Sequence, residues 1–82
     1  MSERDFLRLS LDDQVQYLYR EGSFVTDIRY YNYKVNLYLL EGNYFEVFID
    51  HKKLTITTIC PLDFGSNRLY FYLDQIKLPI AG

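Results

Sequence analysis

The sequence predicts an α+β domain, a four-stranded antiparallel β-meander with an N-terminal and a C-terminal helix packed on one face, in the order α-β-β-β-β-α. Three observations predict it. Leu11, Val15 and Leu18 recur at helical spacing between a capping Ser10 and Gly22. From Phe24 the apolar period changes to two, in four β-rich runs separated by short polar turns. After Pro61 a second helical stripe, Leu69, Leu73 and Ile76, runs towards Pro79.

The first helix is expected over Leu11–Glu21. The Ser10 hydroxyl is placed to accept the amide hydrogen of Asp13. Asp12 and Asp13 complement the positive end of the helix dipole, and Arg20 the negative end. Gly22 can take the left-handed conformation that ends a helix.

The strand runs are Phe24–Tyr30, Tyr33–Leu40, Tyr44–Ile49 and Leu54–Cys60. Their connections, Tyr31-Asn32, Glu41-Gly42-Asn43 and His51-Lys52, are too short for crossovers, so neighbours run antiparallel. A two-residue turn at Tyr31-Asn32 pairs Ile28 with Val35 and Phe24 with Leu39. One at His51-Lys52 pairs Ile49 with Leu54 and Val47 with Ile56. A three-residue loop over Glu41-Gly42-Asn43 matches Leu39 with Phe45 and Leu37 with Val47, and brings Lys34 opposite Asp50. This register collects Phe24, Ile28, Val35, Leu37, Leu39, Phe45, Val47, Ile49, Leu54 and Ile56 on one core face. A single apolar face needs a cover, and the two helices supply it. Asp63 or Ser66 is the candidate cap of the second helix. Leu69-Tyr70-Phe71-Tyr72-Leu73 also alternates and is β-prone, which would make Asn67–Ile76 a fifth strand, but the Asp74-Gln75-Ile76-Lys77 continuation favours a helix.

The 82 residues form one domain, 1–82. At 49% hydrophobic the chain is too apolar for disorder, and a net charge of −2 is unsuited to holding a nucleic acid through its field. The N-terminus carries both charge signs, and Arg8 and Ser10 interrupt its apolar run, so no export signal is expected. No run approaches the roughly 20 apolar residues of a membrane span. One cysteine, Cys60, cannot make an internal disulfide and fits a reducing compartment, so a cytoplasmic location is expected.

Catalytic chemistry finds no constellation. His51 stands alone at a hairpin tip, where an exposed turn residue is the simpler reading than a general base. Cys60 has no cationic neighbour in sequence to lower its pKa and reads as a small buried hydrophobe. One Cys and one His cannot make a zinc set, and the acids lack calcium-loop spacing. Gly22, Gly42, Gly65 and Gly82 are each isolated and form no phosphate-cradling motif. No catalytic residue, metal or cofactor is therefore assigned, and an enzyme is not expected.

The nine tyrosines and six phenylalanines carry the functional expectation. In the register above, Val25, Tyr38, Leu40, Tyr44, Phe48 and Ile59 share the face away from the helices. Aromatic side chains there suit a partner surface because they offer large contact area with few torsions to order. The chain is thus expected to be a non-enzymatic interaction module, a homodimer through this open face. The alternatives are an antitoxin-like regulatory partner of another protein, or a small-ligand binder with a pocket between helices and sheet.

The stretches Leu9–Gln14, Tyr33–Tyr38 and Phe45–Phe48 resemble small uncharacterised bacterial proteins of domain length. The resemblance implies a stand-alone bacterial cytoplasmic domain and carries over no functional residue.

Overall fold

A computed structural model describes residues 2–65 and 68–75. The elements are α1 (Glu3–Leu7), α2 (Leu11–Glu21), β1 (Ser23–Tyr30), β2 (Tyr33–Leu40), β3 (Asn43–Asp50), β4 (Ile56–Pro61) and α3 (Arg68–Gln75). The strands make one antiparallel sheet in the order β1-β2-β3-β4, the meander expected. Residues 68–75 are helix rather than a fifth strand. Ser66, Asn67, Ile76, Lys77 and Pro79, to which the sequence also assigned roles, lie outside the described residues.

Local chemistry explains the helical start. Ser10 Oγ accepts from Asp13 N at 3.2 Å, as its position predicts. A short helix that the periodicity missed, α1, precedes it. Ser2 Oγ accepts from Asp5 N at 3.1 Å, the same device one helix earlier. Gln14 of α2 is buried and ties the two together by donating from Nε2 to Phe6 O at 3.2 Å.

The hairpins differ in how far they match expectation. Tyr30 pairs Tyr33 and Ile28 pairs Val35, so the first turn is as read. Beyond Thr26 the register shifts, because Val25 is an extra residue in β1. Phe24 therefore opposes Tyr38 instead of Leu39. The middle hairpin turns on two residues, Glu41 and Gly42, with φ of 50° and 82°. Two consecutive positive φ values are the twist that a tight hairpin requires, and glycine supplies the second without strain. Leu40 thus opposes Asn43, Leu39 opposes Tyr44 and Leu37 opposes Glu46. The three-residue loop is corrected by one residue, and Lys34 opposes Ile49 rather than Asp50.

The third connection is longer than the two residues expected. Asp50 Oδ1 accepts from Lys52 N and Lys53 N, both at 2.9 Å, and Leu54 N donates to Asp50 O at 2.8 Å. Leu54 takes a positive φ of 57° and is exposed instead of facing the core. Ile49 then opposes Ile56, and Val47 opposes Ile59.

The core lies on both sides of the sheet. Phe6 and Leu18, from α1 and α2, pack with Leu40, Phe45, Val47 and Ile59 on the first face. Tyr72 of α3 packs with Ile28, Val35, Leu37 and Phe48 on the second. The helices are divided between the faces rather than stacked on one. Phe48 and Val47, adjacent in β3, consequently belong to different cores. The expected core face is split in the same way, and Phe24, which it included, is 54% exposed.

Candidate functional site

Burial of both faces rearranges the expected partner surface. Leu40, Phe48 and Ile59 are buried. Tyr38 is half-buried on the first face, with its ring stacked on Tyr19 at 5.2 Å and edge-on to Phe24 at 5.7 Å. The six residues therefore form no single open face. The cause is the one-residue difference in the middle hairpin, which exchanges the faces of β3 relative to β2.

Two of the six do come together. Val25 and Tyr44 line an apolar groove of ≈ 260 Å³ on the second face, with Leu37, Leu62, Phe64 and Leu73 among its walls. The bulge places Val25 there, and Tyr44 meets Phe64 edge-on at 6.4 Å. Phe64 and Leu73 are 64% and 57% exposed, so the groove has an apolar rim open to solvent. Phe64 was not singled out from the sequence, because it lies in an irregular connection where no periodicity applies. Leu73 was read only as part of a helical stripe.

Beneath this groove lies a charged cluster. Glu46, in the middle of β3, is 0% exposed. Arg68 Nε donates to its Oε1 and Oε2 at 3.0 and 3.1 Å, and Nη2 lies 3.0 Å from Oε1. Tyr72 donates its hydroxyl to Oε2 at 3.0 Å. The guanidinium also lies over the rings of Phe48 and Tyr30, at 5.3 and 5.8 Å. Each partner of Glu46 that satisfies a carboxylate oxygen comes from α3. The hydrogen bond to Glu46 pushes the Arg68 pKa up. Burial, followed by the Glu46 charge, pushes the Tyr72 hydroxyl far above its usual range. Cys60 opposes Glu46 on β4, and burial and that same charge push its thiol up, which opposes a reactive thiolate. A sequence signal existed for Glu46, a lone acid within the apolar run Tyr44–Ile49, but nothing local marks it as buried.

A second recess, ≈ 290 Å³ and polar, opens on the first face between Asp27, Arg29, Lys34 and His51. Arg29 Nη2 lies 3.0 Å from His51 Nε2 and 3.4 Å from Nδ1. Lys34 Nζ is 3.9 Å from Asp27 Oδ2. His51 is exposed, on the loop that the Asp50 carboxylate organises. Backbone hydrogen bonds from that loop, Lys53 first, hold the Asp50 carboxyl below its ordinary pKa. On the same face Asn36 Oδ1 is buried with no hydrogen-bond partner, and nothing in the structure explains it.

Among the described residues no group of three or more His, Cys, Asp or Glu is arranged to hold a metal ion, and no helix is long and apolar enough to cross a membrane. Compared with known proteins, the chain matches no family model, and no curated protein or solved structure is significantly similar to it.

Proposed function

We propose that this chain is a non-enzymatic interaction module that self-associates. The observation that carries the reading is the set of large apolar side chains left in solvent around β1 and α3. Phe24, Val25, Phe64, Tyr70 and Leu73 are each exposed. Scattered apolar side chains are ordinary on a protein surface, but Val25, Phe64 and Leu73 line one groove and Phe24 lies in the outer strand β1. Aromatic residues at such a rim suit the buried centre of a protein–protein contact. This surface takes the place of the open sheet face, whose residues are largely committed to the two cores.

Size-exclusion chromatography with light scattering tests the reading. A dimer is expected at about 100 μM, since standard-size interfaces hold well below that concentration. A strict monomer there removes self-association.

The groove itself favours one second reading, a small apolar ligand held between α3 and the sheet. Its walls are almost wholly aliphatic or aromatic, and Tyr72, which borders it, already donates its hydroxyl to Glu46. The matching chemistry is a short acyl chain or a small aromatic compound without a charged head. A thermal-shift series with methyl octanoate, octanol and indole addresses it, because a ligand at 100 times its Kd stabilises by about 2.7 kcal/mol. No shift from any of the three counts against this second reading.

A further inference from the structure

The geometry points to a specific contact between two copies of this chain. Their β1 strands pair antiparallel about a two-fold axis at Ile28, joining two four-stranded sheets into one of eight. The inference rests on the self-associating reading above and names the surface and the register.

Among the described residues the sheet order leaves β1 and β4 as outer strands. The β4 edge is poorly suited to pairing. Its six residues include Pro61, which has no N–H, and its register is broken opposite Phe48 and Ile49. β1 is eight residues long and pairs regularly with β2 from Thr26 to Tyr30.

The direction of its backbone groups follows from the first hairpin. The two-residue turn is closed by Tyr30 and Tyr33, so Tyr30, Ile28 and Thr26 direct N–H and C=O groups at β2. Asp27 and Arg29 therefore direct theirs outward. A second β1 strand must meet these two outward residues with its own. Three two-fold axes satisfy that rule, through Asp27, Ile28 or Arg29. The first sets two carboxylates directly opposite each other, and the third sets two guanidinium groups opposite each other, both unfavourable. The axis at Ile28 instead sets Asp27 opposite the partner's Arg29, and Arg29 opposite the partner's Asp27. Four backbone hydrogen bonds and two cross-strand ion pairs result, with Thr26 beside the partner's Tyr30.

The side chains agree with this choice. Asp27 and Arg29 are both exposed and sit in the polar recess with Lys34 and His51. The recess carries both charge signs, as a surface that must complement itself requires. The axis stands normal to the sheet and preserves its faces. The exposed Tyr70 and Leu73 of α3, which packs on β1, therefore come to the same side of the joined sheet as their counterparts.

The test is a charge swap, read by sedimentation equilibrium and by circular dichroism for folding. Asp27→Arg or Arg29→Asp alone sets like charges opposite at both symmetric positions and should raise the dimer Kd by about tenfold or more. The double variant Asp27→Arg with Arg29→Asp restores opposite charges and should return the Kd to within about threefold of the parent. Should a reversal unfold the chain, the neutral variants Asp27→Asn and Arg29→Gln replace it, and each should still weaken the dimer by about twofold or more. Hydrogen exchange gives an independent reading. The amides of Asp27 and Arg29 should gain protection with protein concentration, while that of Ile28 should be protected throughout. A dimer indifferent to all these changes overturns the β1 contact and leaves self-association standing. A parent that is monomeric overturns both. Concentration-independent protection of Asp27 and Arg29 also overturns the contact, since the chain itself would then cover the edge.

Discussion

Arg68→Ala should destabilise the domain by about 3–5 kcal/mol, the usual consequence of removing one partner from a buried ion pair. The structure sets the magnitude. Glu46 is fully buried, and Arg68 makes three close contacts with its carboxylate, the remaining one coming from Tyr72. Without the guanidinium the charge keeps a single hydroxyl donor. The cation–π contacts with Phe48 and Tyr30 add about 0.5–1 kcal/mol each to the loss. A chain of this length has a total stability of roughly 4–12 kcal/mol, so the change should be conspicuous. One route limits it. α3 can detach and let water reach Glu46, which caps the loss at the free energy of docking that helix. Urea unfolding followed by circular dichroism measures the loss, and hydrogen exchange in α3 reports the detachment. The double change Glu46→Leu with Arg68→Met removes both charges at similar volume and should cost little or even stabilise. A loss below about 1 kcal/mol for Arg68→Ala, without faster exchange in α3, would refute the argument that Glu46 needs its partner.

Further outcomes follow from the same structure. Phe48→Ala should cost about 3–5 kcal/mol, because its ring is buried beside Tyr33 and under Arg68, whereas Phe24→Ala, at an exposed position, should cost less than about 1 kcal/mol in urea unfolding. Gly22→Ala should destabilise by about 1–3 kcal/mol, since a Cβ there would stand 2.6 Å from Leu18 O, a backbone atom that cannot easily yield. Gly42→Ala has open space around it and should cost only the backbone strain of φ +82°, about 1–2 kcal/mol. Stability should fall at alkaline pH. Cys60 and Tyr72 both have raised pKa values in the fold, so the native state holds more protons than the unfolded chain once pH passes their ordinary values of 9.0 and 10.0. The stabilisation is complete below pH 9 and is lost above it, so the urea midpoint should be lower at pH 10.5 than at pH 8. Equal midpoints would contradict the assigned surroundings of both groups.

Features that depend on neighbours along the chain were legible without the fold. Ser10, Arg20 and Gly22 mark the ends of α2 because capping and dipole effects act within one turn, although Gly22 closes the helix in an extended conformation, φ −87° and ψ 167°, and not in the left-handed one expected. The Tyr31-Asn32 turn and the Tyr30–Tyr33 pair were readable for the same reason, and so was the antiparallel order, which short connections impose. The middle hairpin marks the limit of that reasoning. β2 and β3 carry apolar side chains at both parities, among them Leu37 beside Tyr38 and Leu40, and Phe45 beside Tyr44 and Phe48. Alternation distinguishes a sheet buried on one face from a solvated one, but it loses meaning when both faces are covered. Either register then places apolar residues opposite one another. The tertiary structure chose between them through contacts remote in sequence. Glu46 can occupy the second face because Arg68 and Tyr72, 22 and 26 residues away, reach it from α3. A buried charge is tolerated only where such partners arrive, and no local pattern records their arrival.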